Sequence, residues 1–174
     1  MHKKQVEKSG YSMLERTVHW AGAVTQAPTL SIDDLQPALS FLLIWSMFER
    51  VNAPTDIRKD TLLNLCGREN FSDVSVKNIF LFFKKTYFPQ GCESARFKKL
   101  LLKKDENWVR EIFTNSEPNT LDMLKASMMV IYRFRNNLAH GLKSQIKINV
   151  FWKEFSYIND FLKTYLNRKL AVID

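Results

Sequence analysis

A chain of 174 residues with 45% hydrophobic and 25% charged side chains can bury one substantial core, and is too short to lead one to expect two. Five glycines and five prolines are too few for the many tight turns of an all-β fold, and no apolar run reaches membrane-span length, Phe41-Leu-Leu-Ile-Trp45 being the densest. The formal charge of +8 suits an RNA or DNA partner, although many proteins carry such an excess idly.

The opening MHKKQVEKSG is basic, lacks the apolar core and cleavage site of a secretory signal, and reads as a flexible extension. From Tyr11 to Thr25, Leu14, Val18 and Ala21 fall at helical spacing, with Gly22 weakening the pattern. Ser31-Ile-Asp-Asp34 resembles a helix start, a serine cap followed by acids in the first turn. Pro37 would move that start to Asp34, because proline is tolerated in a first turn. This helix is expected to run to about Asn52, before Pro54. Its middle, LSFLLIWSMFERV, is apolar nearly all round and predicts a central, buried helix. Thr55 can cap a shorter helix ending near Gly67. Further helices are expected over Val76–Tyr87, Arg96–Lys103 and Asn107–Phe113. Asn119-Thr-Leu-Asp122 starts a long helix that Gly141 ends. Ile146 to Val150 alternates like a strand but has no partner strand. A last helix is expected over Val150–Asn167, with Phe151, Phe155, Ile158, Phe161, Leu162 and Tyr165 on one side. The sequence therefore predicts a single all-α domain, a helical bundle with its core over about residues 31–166.

Cys66 and Cys92 do not form a disulfide framework, which makes a reducing cytoplasm the default location. No glycine-rich phosphate loop and no nucleophile elbow is present. His2, His19 and His140 do not pair at zinc-ligand spacing, and no cofactor is implied. The acids Asp33-Asp34 and Asp105-Glu106 sit where caps belong, and Trp45 and Met47 read as core. Two basic stretches stand out, Lys84-Lys85 and the run from Arg96 to Lys104. On a helix Arg96, Lys99 and Lys103 share a face. Both a solvated face and a phosphate-contacting surface fit that pattern.

The end of the long helix, YRFRNNLAHG, is unlike the rest. Leu121, Leu124, Met128 and Ile131 form its buried stripe, and Arg135 is the next position on that stripe. A cation at the core edge needs an anion, and Glu49, closing the apolar helix, is the internal candidate. One reading is a structural bridge; the other is an arginine held by Glu49 and aimed at a phosphate. His140 follows five residues later, roughly 140° round an ideal helix, so the two side chains do not converge within one straight helix. A loosened last turn, or a second copy across a twofold axis, would bring them together. An arginine to bind a scissile phosphate and a histidine to handle a ribose proton can cleave RNA without metal. A histidine complementing the helix C-terminus is the ordinary alternative.

Arg135-Asn136-Asn137-Leu138-Ala139-His140 resembles the motif of the HEPN superfamily (higher eukaryote and prokaryote nucleotide-binding domains), an arginine, a polar residue, a few more residues and a histidine. The closing His-Gly is similar to a subset found in bacterial defence systems, and LLIWSMFERVNA is similar to the helix that packs against the motif there. The resemblance spans Ser31 to Leu166, with its specific part in six or seven residues. It implies an all-α homodimer with Arg135 and His140 as catalytic residues and Asn136 orienting them. It implies attack by the ribose 2′-OH, leaving a cyclic phosphate, and a toxin or anti-phage role under an antitoxin or a sensor protein. Some toxin members carry a modifiable tyrosine two residues after the histidine; here that position is Leu142. Other members have lost activity and bind nucleotide, nucleic acid or a partner protein, which is the competing expectation. A helical nucleic-acid-binding protein outside the family is the third.

Overall fold

The computed structural model describes residues 32–53, 57–139 and 151–171. Those residues form seven α-helices: α1 (Ile32–Asn52), α2 (Lys59–Arg68), α3 (Asp73–Tyr87), α4 (Ala95–Lys98), α5 (Glu106–Thr114), α6 (Thr120–Ala139) and α7 (Trp152–Leu170). Two 3-10 turns, Pro89–Gly91 and Lys103–Asp105, flank α4, and no strand occurs among the described residues. The protein is an all-α bundle. No described helix is long and apolar enough to cross a membrane. The basic extension, the expected helix over Tyr11–Thr25, Ser31, Thr55, and the stretch from His140 to Val150 lie outside the described residues.

The centre of the bundle is α6. Ala126, Ser127, Met128, Met129, Val130 and Ile131 are buried in unbroken succession, so this stretch has no solvent face. Helices α2, α3 and α5 pack against it, while α7 packs against α1 and α3. Aromatic side chains fill the spaces between. Phe134 of α6 meets Phe151 and Phe155 edge-on at 5.4 and 5.2 Å. Phe41 of α1 lies 5.6 Å from Phe155, and Phe80 of α3 stacks on Phe113 of α5 at 5.0 Å. Such offset and edge-on pairs add to plain area burial. Cys66 is buried in α2, and burial pushes its thiol up to about 12; Cys92 is exposed just past the first 3-10 turn.

Three sequence expectations are corrected here. First, α1 is not buried all round. Ala38, Phe41, Ile44, Trp45 and Phe48 face the core, but Leu39, Leu42, Leu43 and Met47 are exposed, Leu43 by 66%. Apolar character identified a helix with something to cover without saying whether this bundle covers it. The same helix begins at Ile32 and holds Pro37 in its interior, where Asn159 of α7 donates to the Pro37 carbonyl at 3.0 Å. Second, α2 begins at Lys59, four residues after Thr55.

Third, no helix runs from Arg96 to Lys103. α4 ends at Lys98, and Leu101 and Lys103 adopt left-handed backbone with φ of 54° and 57°. The reason is packing. Phe97, Leu100 and Leu102 are all buried, and two residues apart is a spacing no single helix face can bury. The chain turns twice to bury both leucines, leaving Leu101 exposed. Arg133 of α6 holds the turn by donating from Nε to the Leu100 carbonyl at 3.3 Å.

The start of α6 follows its sequence signal. Asn119 Oδ1 accepts from the Asp122 backbone N–H at 2.9 Å, and Asn119 Nδ2 donates to the Asp122 carboxylate at 2.8 Å. Replacing Asn119 by Ala removes this cap, and the midpoint of urea unfolding is expected to reveal a loss of about 1 kcal/mol.

Candidate functional site

The stripe along α6 is buried at Leu124, Met128 and Ile131, while Leu121, in the first turn, is exposed. Arg135 continues the stripe to the edge of the core. Its Nη2 donates to Glu49 Oε1 at 3.1 Å, joining the last turns of α6 and α1. The side chains of Arg135 and Glu49 are 21% and 17% exposed, so the pair is shielded without being sealed. Nη1 of Arg135 donates to the side-chain oxygen of its neighbour Asn136 at 3.1 Å. A guanidinium has five N–H donors in a planar fork. Two are engaged among the described residues, which leaves others able to meet an anion. Asn137 is half-buried beside it, and Leu138 packs against the core. About one turn earlier on the same two helices, Trp45 and Tyr132 lie 6.4 Å apart. The structure therefore brings together Arg135, Asn136 and Glu49. His140 lies outside the described residues.

Of the five basic candidates for RNA contact, two are committed elsewhere. Arg96 turns inward, its Nη2 2.6 Å from Glu154 Oε1 and its guanidinium 5.2 Å from the Phe151 ring. Lys84 donates to the Asn115 carbonyl at 2.7 Å and lies over Phe80. Lys85, Lys99 and Lys103 are exposed. Because the helix breaks after Lys98, Arg96, Lys99 and Lys103 do not line one helical face.

Two polar arrangements had no warning in the sequence pattern. Glu154 is 1% exposed at the start of α7, and its burial raises its carboxyl above 4.5 against the opposing pull of Arg96. The second joins the C-terminal ends of α1, α2 and α7. Glu69 Oε2 accepts from Tyr165 Oη at 3.1 Å and from Lys169 at 2.7 Å, and Asn52 Oδ1 accepts from both as well. One hydroxyl proton serves only one acceptor at a time, so Tyr165 is shared between them. Burial, then the Glu69 charge, raises the Tyr165 phenol and keeps that proton in place. These partners are far apart in the chain, so neither arrangement leaves a local spacing to read.

Comparisons with protein-family models, with curated proteins and with solved structures found no match.

Glu49→Gln leaves the Arg135 cation underpaired. Because the pair is partly solvated, a stability loss of about 1–2 kcal/mol is expected in urea unfolding, less than a fully buried pair would show. Glu154 gives a pH signature. Its folded-state value is raised, so the fold favours the protonated acid, and this contribution is lost as pH climbs from 4.5 through the raised value. The difference in unfolding midpoint between the native chain and Glu154→Gln, followed across that window, should therefore shift against the native chain as pH rises.

Proposed function

We propose that this protein is a metal-independent endoribonuclease of HEPN type, serving in a toxin–antitoxin or anti-phage system. The observation that carries the reading is Arg135, held at the core edge by Glu49 and Asn136 with part of its fork open. Arg135 binds the scissile phosphate and the charge that develops on it. The ribose 2′-oxygen attacks phosphorus, the bond to the 5′-oxygen breaks, and a 2′,3′-cyclic phosphate and a 5′-hydroxyl result. His140 handles the proton of the attacking or the departing oxygen. Asn136 fixes the arginine's plane. The Arg135 and His140 side chains diverge on an ideal helix, so a homodimer that places two motifs in one cleft is part of the proposal. The exposed stripe Leu39, Leu42, Leu43 and Met47 supports it, because a second copy would cover apolar surface leading up to Glu49. An antitoxin or a sensor protein would restrain or trigger the enzyme.

A second reading is a HEPN module without catalysis, binding nucleotide, nucleic acid or a partner protein. The bridge to Glu49 favours it equally, since a structural ion pair makes the same contact.

Incubation with total RNA separates the two. Arg135→Ala and His140→Ala should each abolish cleavage while far-ultraviolet circular dichroism stays helical. Arg135→Lys should rescue poorly, because lysine lacks the planar fork. The double variant should be scarcely worse than either single one. Cleavage should persist in EDTA and stop when the 2′-OH at the cut site is blocked; the opposite result in either assay defeats the mechanism. Light scattering should detect a dimer that Leu43→Glu dissociates, with cleavage falling in parallel. A native chain that stays monomeric at high concentration removes the composite cleft.

A further inference from the structure

We infer that the first turns of α7, with the adjoining side of α3, form a base-stacking strip for single-stranded nucleic acid, built on Trp152, Lys153 and Tyr157. The proposed RNA reading supplies the identity of the ligand, and the strip names how that ligand is gripped away from the reacting phosphate.

Half the surface of each aromatic residue faces solvent: Trp152 is 50% exposed and Tyr157 is 49% exposed. Neither position is needed to close the core, which α7 and the residue before it reach through Phe151, Phe155, Ile158 and Leu162. Tyr157 nevertheless has a partner in the fold. Its ring stacks on Phe82 of α3 at 3.8 Å with an interplanar angle of 8°, and Phe82 is itself half-buried against the core. A ring braced on one side and solvated overall is a preformed platform. It loses little freedom when a base settles on it.

Lys153 lies beside the first ring. Its ammonium lies 5.6 Å from the Trp152 ring, and it is exposed. Trp152 and Tyr157 are separated by roughly 7.5 Å along the helix and 140° around it, with Lys153 between them in azimuth, so the rings do not converge and a strand that reaches both passes part of the way round α7. That order, aromatic, cation, aromatic, matches a strand whose bases stack while its phosphates pass a lysine. Charge agrees with an anionic occupant. The exposed side of α7 carries Lys153, Lys163 and Arg168 against Asp160, and Lys85 is exposed one turn beyond Phe82. Glu154, the nearest acid in sequence, is withdrawn into its bridge with Arg96. The strip also starts close to the candidate site. Phe151, the residue before Trp152, meets Phe134, the residue before Arg135, at 5.4 Å.

The test uses the full chain and fluorescein-labelled short 2′-O-methyl oligoadenylate and oligouridylate, which cannot be cleaved by 2′-OH attack, with inorganic polyphosphate as a charge-only ligand. Fluorescence anisotropy should report binding weakened about 10-fold by Trp152→Ala and by Tyr157→Ala, with Tyr157→Phe close to native. Polyphosphate binding should fall with Lys153→Ala and be indifferent to both aromatic variants. Circular dichroism and urea midpoints verify that each variant is folded. Oligonucleotide binding that ignores both aromatic variants overturns the strip, as does a native chain that binds neither oligonucleotide. An equal loss for polyphosphate in the aromatic variants also overturns it, since stacking would then contribute nothing. Binding through the strip without cleavage of any RNA would defeat the ribonuclease reading alone. Cleavage with binding indifferent to the strip would defeat this inference alone.

Discussion

A helix stretch with no solvent face must be surrounded, and that constraint organises the molecule. Six consecutive buried residues in the middle of α6 require neighbours on every side, and α2, α3 and α5 are packed against it. Such a helix cannot simply stop inside the core. Its last turn has to emerge, and the stripe that carried Leu124, Met128 and Ile131 continues into whatever the sequence places next. Here that is Arg135. The cation reaches the margin of an aromatic core and needs an anion there, and the end of α1 brings Glu49 to it. The candidate site is thus a consequence of how the central helix leaves the core.

The same constraint explains which parts of the fold were legible. Helix starts and stops are local. Asn119 and Asp122 announced the first turn of α6, and the end of α1 at Asn52 fell where the approach of Pro54 required. Which helix occupies the centre is not local. α1 is the more apolar to the eye, yet it lies along one side and leaves Leu39, Leu42, Leu43 and Met47 in solvent, Met47 having been read as core. α6 carries as many charged residues, Asp122, Lys125, Arg133 and Arg135, and is the one enclosed. The expected helix from Arg96 to Lys103 failed for a related reason. Its pattern permits a helix, but the chain buries Leu100 and Leu102 by way of left-handed residues Leu101 and Lys103, which neither propensity nor charge spacing reveals.

For the candidate site, the stripe logic located Arg135 and named Glu49 correctly, because a helical period and an obligatory counter-ion together leave few choices. Basic runs were a weaker guide. Arg96 and Lys84 look in sequence like surface charges, but one is drawn in by a buried acid and the other by a carbonyl at the end of α5. The partner that redirects Arg96, Glu154, is 58 residues away. Only the packing of α7 onto the bundle decides that the carboxylate is buried, and that burial decides where the arginine points. Tyr157 and Phe82 are likewise brought together by the fold alone.

The two cysteines leave this protein with a built-in clock for its own openings. Cys92 is accessible, whereas Cys66 is enclosed and its thiol is held near 12, so at neutral pH almost no reactive thiolate is present there. An alkylating reagent meets the first at once and the second only when α2 parts from the bundle. The slow second modification therefore counts the openings, of α2 alone or of the whole bundle, that bring Cys66 to solvent, without any label having been engineered.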